Sequence, residues 1–216
     1  MTPQSHRRAD HNHQLANHLA LISGLVRLQA LDLGEKDVMT GSDIRLALEE
    51  TIARIDAVTR LHRLLATSDD KTVDLGVYLQ AILEGVAFSF RFIGKMAVRP
   101  PSAVGYHVGG DQALPVGLLV AELVTNGIKY AHPSGIAGVL SVTCSKRDDA
   151  IFVETIDDGV GLPEGLDPMT GGGLGLRLVR SLAQQIRGAL VFDSGPLGLR
   201  VQLKLPTAIL RIGEGV

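Results

Sequence analysis

Two consecutive runs of helical periodicity, both finished before residue 70, constrain this chain more than any other feature. Leu15, Leu19, Ile22, Leu25, Val26 and Leu28 recur at helical spacing, and the run stops at Leu33-Gly34, where glycine suits a C-cap. A second run starts at Ser42, a good N-cap residue, and passes through Ile44, Leu48, Ile52, Ile55, Val58 and Leu61 to Leu65. The short connection predicts an antiparallel hairpin. Two helices alone leave part of both apolar stripes uncovered. Pairing with a second hairpin into a four-helix bundle is the physical expectation, with folding back on the rest of the chain as the alternative.

After Lys71, the expected hinge, the pattern changes. Residues 74–90 read as a helix, 96–99 as a short strand and 111–130 as a long helix. Alternating strands follow at 138–146 and 150–156. A glycine-rich loop, Thr170-Gly171-Gly172-Gly173, then leads into a helix through Ile186. Two last strands, 189–192 and 199–205, straddle a Gly195-Pro196 turn. Hairpin-linked strands mixed with helices predict one sheet with helices on one face. The expected fold is therefore α+β. A helical hairpin over residues 1–70, forming a four-helix bundle on dimerisation, precedes an α/β sandwich over residues 71–216.

Composition removes several classes of function. A formal charge of −2 gives no reason to expect nucleic acid or acidic lipid as the main partner. The single cysteine, Cys144, excludes a disulfide framework and sits in an alternating segment as a packed strand residue. The polar start has no secretory leader, and no run approaches the roughly 18 apolar residues of a membrane span, so a cytoplasmic protein is expected.

Three separated segments carry chemistry. In the first, Glu122, Asn126 and Lys129 stand at i, i+4 and i+7 on one helix face, with Tyr130 beside them. An amide oxygen can ligate Mg²⁺ and a cation can neutralise phosphate, although a solvated helix face has the same pattern. The second is Asp157-Asp158-Gly159-Val160-Gly161, at the end of a strand. There a carboxylate can accept from an exocyclic amine, and glycines admit a flat ring; an ordinary Asp-Gly turn looks alike. The third is Gly171-Gly172-Gly173-Leu174-Gly175-Leu176, where amides at a helix N-terminus can face phosphate oxygens. The chain lacks the lysine-bearing glycine loop of the P-loop proteins.

Three of the seven histidines crowd His11-Asn12-His13-Gln14-Leu15-Ala16-Asn17-His18. Asp10 and Asn17 lie three residues before and four after His13, on its face of a helix. A carboxylate one turn away can hold Nδ1–H and leave Nε2 as the attacking atom toward a phosphoryl group. A metal site or a solvated helix start is the plainer alternative, but no cysteine or paired carboxylate completes a ligand set.

The order of the three segments resembles the nucleotide-binding domain shared by histidine kinases, Hsp90-like chaperones, type II topoisomerases and MutL-like repair proteins, over roughly residues 74–206. The stretches LLVAELVTNGIKYAHP, DDGVGLP and GGGLGLRLVRSLAQQIRGAL look like the histidine kinase branch. That resemblance implies ATP and Mg²⁺ as cofactors, with Asn126 on the metal and Asp157 on the adenine amine. It places Gly159, Gly161, Gly173, Leu174 and Gly175 in the pocket and lid, and Lys129 and Tyr130 near phosphate and sugar. Glu122 would polarise the nucleophile or support the Mg²⁺ shell. The lid between Leu162 and Gly171 is short and has no aromatic box.

The segments DHNHQLANHLALISGLVRLQ and ARIDAVTRLHRLLATSDDKTVDLGVYLQ resemble the second dimerisation and phosphoacceptor class, close to the HWE kinases. In that class the acceptor histidine is followed by Arg, then Lys at +3 and Asn at +4. Here the matching positions are His13, Gln14, Ala16 and Asn17, so two basic residues are missing. His62 falls where that class has a histidine on its second helix, as a packed bundle residue. The resemblance implies a kinase that autophosphorylates on His13 and passes the phosphoryl group to an aspartate of a response regulator receiver domain, acting as a homodimer through the hairpin. A phosphorelay adaptor that does not use ATP and a serine-directed regulator of the anti-sigma type are the rival readings.

Overall fold

The computed structural model describes residues 40–67, 72–90, 95–102 and 105–206, together with helical backbone at Ala20, Ser23, Gly24, Val26, Arg27 and Ala30. His13, Asp10 and Asn17 lie outside the described residues.

Helix α1 (Gly41–Thr67) begins earlier than a Ser42 cap requires. Thr40 and Asp43 form a reciprocal capping box: Asp43 N donates to Thr40 Oγ1 at 3.2 Å, and Thr40 N donates to the Asp43 carboxylate at 2.9 Å. A short strand, β1 (Thr72–Asp74), hands over to α2 (Leu75–Ser89), whose N-cap is Asp74. The Asp74 carboxylate accepts from Val77 N at 3.0 Å and from Gly105 N at 2.8 Å, pinning the helix start to a distant loop. Then come β2 (Met96–Arg99), β3 (His107–Gly109) and α3 (Gly110–Tyr130), followed by the hairpin β4 (Gly138–Arg147) and β5 (Ala150–Asp157). Helix α4 (Leu174–Gln185) and the hairpin β6 (Ala189–Gly195) and β7 (Gly198–Pro206) complete the order.

The main sheet has five strands in the order β2-β4-β5-β7-β6, with β2 parallel to β4 and all other pairs antiparallel. Strands β1 and β3 pair separately; three-residue strands have too few alternations to be read from sequence. One face of the sheet supplies Leu140, Val142, Val153, Val201, Leu203 and Leu205 to the core, beneath Val120, Val124, Val179 and Leu182 of α3 and α4. The opposite face carries a polar cluster, in which Glu154 accepts from Arg200 at 2.8 Å and from Gln202. This is the two-layer arrangement expected, one sheet with helices on one side. Cys144 is half-buried on β4, and burial pushes its thiol up to about 12, so it is a packed strand residue without thiolate character.

Helix α1 does not stand apart from this body. Ala53, Ala57, Val58 and Leu61 are buried in the same core as α2 and α3, and Tyr78 of α2 donates from its hydroxyl to Ala57 O at 3.0 Å. Small alanines face inward because they let α1 approach closely. The larger side chains Ile44, Leu48, Ile52 and Ile55 remain exposed on another face. Helix α1 thus folds back on the body of the chain, with an apolar line along it exposed.

Candidate nucleotide site

The C-terminal half of α3 builds one wall of a large cavity. Its apolar residues, Val120 and Val124 among them, bury one face, and the helix's i+4 spacing then turns Asn126 toward open space on the other. Strand β5 is the second wall, and its last residue, Asp157, ends against that helix. The third is the glycine-rich turn before α4. Among the described residues these walls enclose about 1330 Å³, above the roughly 300–1,000 Å³ of ordinary small-molecule pockets. Asn126, Lys129, Tyr130, Asp157, Gly161, Gly173, Leu174 and Gly175 all line it.

At one end Asp157 is only 8% exposed. Its Oδ1 accepts from Gly159 N at 3.0 Å and from Leu199 N at 3.3 Å, so the carboxylate is fixed by backbone while, among the described residues, Oδ2 has no donor. Thr155, two residues earlier on the same strand, lines the cavity beside it. Gly159 lies under the turn, outside the lining. A Cβ there would stand 2.3 Å from Ala131 O, and Val160 N donates to that same carbonyl at 2.9 Å. Gly161 has φ +74, a conformation that favours glycine, and packs on Gly195 O. Next to this turn, Asp158 accepts from Val139 N at 2.9 Å and contacts His132 Nε2 at 2.8 Å. The His132 hydrogen bond, then the Val139 amide, holds the Asp158 carboxyl below its ordinary range.

At the other end α4 starts from Gly173 with no side-chain cap on its first amides. A Cβ on Gly175 would sit 3.3–3.4 Å from the Asn126 amide and 3.5 Å from Glu122 Oε2, so the helix start closes directly over those two groups. Hard oxygen donors beside uncapped amides suit a divalent cation and a phosphate. The lid loop is tied down by Arg180, whose Nη1 donates to Pro168 O and Gly171 O, both at 2.7 Å, and by Ser194, whose Oγ accepts from Leu162 N at 2.7 Å.

Glu122 lies one layer beneath the lining, 5% exposed, with Oε1 accepting from Arg54 Nε at 2.6 Å. Burial pushes its carboxyl above the ordinary range against the pull of Arg54. Lys129 pairs with Glu50 and lies 5.5 Å from the Tyr130 ring centroid. Glu50 and Arg54 both come from α1 and both line the cavity. These two are the residues that sequence reasoning passed over. The available signal was an arginine between Ala53 and Ala57, inside a stripe of small apolar residues.

Two family models match the chain. Residues 111–209 match the histidine kinase-, DNA gyrase B- and HSP90-like ATPase model, and residues 10–90 match a histidine kinase model, HisKA_2. Blue-light-activated histidine kinase 2 of Erythrobacter litoralis is 29% identical over 205 residues, covering 92% of this chain and 56% of its own length. Sensor histidine kinase PdtaS of Mycobacterium tuberculosis is 27% identical over 198 residues, covering 90% of this chain and 38% of its own length. The chain thus spans about half, or less, of these curated relatives. Among solved structures, the histidine kinase domain of Erythrobacter litoralis EL346 superposes with a TM-score of 0.67 at 26% identity, over 86% of this chain and 96% of that one. Together the two models span most of the chain, which belongs to the histidine kinase family: a HisKA_2 segment over residues 10–90 followed by an ATPase domain of the gyrase and HSP90 type over residues 111–209.

Proposed function

We propose that this chain is the ATP-dependent catalytic part of a two-component kinase, which phosphorylates His13 and passes the phosphoryl group to an aspartate on a response regulator receiver domain. The observation that carries this reading is the convergence of Asn126, Asp157 and the Gly173–Gly175 helix start on one cavity. Asp157 Oδ2 accepts from the adenine amine while Gly159 and Leu199 amides hold Oδ1. Asn126 offers its amide oxygen to Mg²⁺, which when bound neutralises phosphate charge. Uncapped amides of α4 face the phosphate oxygens, and Tyr130 and Leu174 flank the ligand. His13 Nε2 attacks the γ-phosphorus, the bond to the β-phosphate oxygen breaks, ADP leaves, and Asp10 with Asn17 orients the ring through Nδ1–H. Positioning and charge neutralisation supply most of the acceleration.

The residue boundary near Lys71 divides a phosphoacceptor part, 1–70, from a catalytic part, 71–216. The exposed line of Ile44, Leu48, Ile52 and Ile55 supports a homodimer through the hairpin. Among the described residues no helix is long and apolar enough to cross a membrane. A phosphorelay adaptor would have no use for Asn126, Asp157 and the glycine turn, and their retention favours ATP use.

Incubation with γ-labelled ATP tests the reading. Acid-labile, base-stable label on wild type, absent from His13→Ala and Asn126→Ala, is expected. Undiminished label in His13→Ala overturns the acceptor, and wild type that takes up neither label nor nucleotide overturns ATP use.

A further inference from the structure

The least expected feature of the cavity is a chain of four charges across the α1–α3 boundary. Glu122 pairs with Arg54 at 2.6 Å, Arg54 Nη2 lies 4.0 Å from Glu50 Oε2, and Glu50 Oε1 pairs with Lys129. Arg54 is 2% exposed. A buried guanidinium on an otherwise small-residue face is costly unless paired, and its partner is the acid one turn before Asn126. Arg54 takes one oxygen of that acid, Oε1. The other, Oε2, faces the start of α4 beside the Asn126 amide.

We propose that Arg54, carried by α1, is a positioning residue for the phosphate end of the cavity: it holds the Glu122 carboxylate with Oε2 turned toward Asn126, so the pocket is complete only when α1 is seated. This rests on the nucleotide reading above. The alternation of charge explains the design. Burial works against an ionised Glu122, and Glu50 opposes ionisation further; Arg54 and, more weakly, Lys129 favour it. These are the charged groups that bear on Glu122 from α1 and α3; the α4 side presents backbone at Gly175. Without Arg54, the bond that holds Oε1 is lost and Oε2 is no longer fixed beside the Asn126 amide.

The test uses the full chain as wild type, Arg54→Lys, Arg54→Met, Glu122→Gln and the Arg54→Met/Glu122→Gln double variant. Affinity for a fluorescent ATP analogue is measured with and without Mg²⁺ at one pH, with circular dichroism on the same samples to report the folded fraction. In Arg54→Met the affinity with Mg²⁺ is expected to fall roughly tenfold while the affinity without Mg²⁺ is unchanged. Arg54→Lys keeps the wild-type dependence on Mg²⁺. Glu122→Gln loses the same Mg²⁺-dependent part, and the double variant matches Glu122→Gln because the two residues act as one. Should Arg54→Met not fold, Arg54→Gln replaces it. Wild-type Mg²⁺ dependence in the folded Arg54→Met or Arg54→Gln variant, or a double variant whose loss is the sum of the singles, overturns the inference alone. Wild type that binds no nucleotide overturns the parent reading and this inference with it.

Discussion

The pocket glycines differ in what requires them, and substituting each by alanine separates the fold's demand from the ligand's. At Gly159 an added Cβ would lie 2.3 Å from Ala131 O and 2.5 Å from Ala131 Cα and Cβ. Carbon atoms pack at about 3.5 Å, so the Asp157–Gly159 turn must move by about 1 Å from the end of α3. That end cannot yield cheaply, since Ala131 N donates to Gly127 O at 3.0 Å. Overpacking costs about 1–3 kcal/mol, and losing the Val160–Ala131 hydrogen bond adds about 1 kcal/mol. Gly159→Ala should therefore lose about 2–4 kcal/mol, a fall in Tm of roughly 4–16 °C for a chain of this size. At Gly173 nothing lies within 4 Å of the new Cβ and φ is −73, so Gly173→Ala should lose no more than about 1 kcal/mol, the preference of an N-cap for glycine over alanine. It should still weaken nucleotide binding, because on the proposed reading the methyl group stands where phosphate approaches the α4 amides. Thermal unfolding by circular dichroism and titration with a fluorescent ATP analogue measure both quantities. Equal destabilisation by the two variants, or a Gly173→Ala pocket that binds nucleotide like wild type, would refute the reasoning.

Three further outcomes follow from the same geometry. Leu61→Ala removes a fully buried contact between α1 and the body; it should cost about 2–5 kcal/mol and expose α1 to limited proteolysis before the rest. Asp157→Asn keeps the size but replaces one acceptor with a donor, so it should abolish preference for adenine over guanine nucleotides in competition binding while altering urea stability little. Asp158 has a depressed pKa, so it contributes stability above the unfolded aspartate value of about 3.9 that is lost as pH falls through its folded value. His132→Ala should accordingly lower the urea midpoint near neutral pH and converge on wild type toward about pH 3. A constant difference across that range would remove the His132 contact as the cause.

Much of the C-terminal half was legible because its signals are local. The 3.6-residue period around Glu122, Asn126 and Lys129, the alternation through β4 and β5, and the Asp-x-Gly-x-Gly and Gly-Leu-Gly-Leu turns each fix backbone type over a few residues. The helix cap at Thr40 was misplaced to Ser42 because both residues are good caps, and only the Asp43 partner distinguishes them. The β1–β3 pair was missed since its two strands are short and separated by all of α2.

The sequence alone named the candidate residues for a purine nucleotide and its metal, because amides, carboxylates and side-chain-free turns carry that chemistry wherever they occur. Tertiary structure decided how those residues are used. It buried Glu122 beneath the lining, set Gly159 against α3 while leaving Gly173 open, and brought Glu50 and Arg54 of α1 onto the face that holds Asn126. Arg54 and Glu122 are 68 positions apart, and no local period encodes such a pairing. It arises only because Ala53 and Ala57 are small enough for α1 to pack against the core and carry a guanidinium into it.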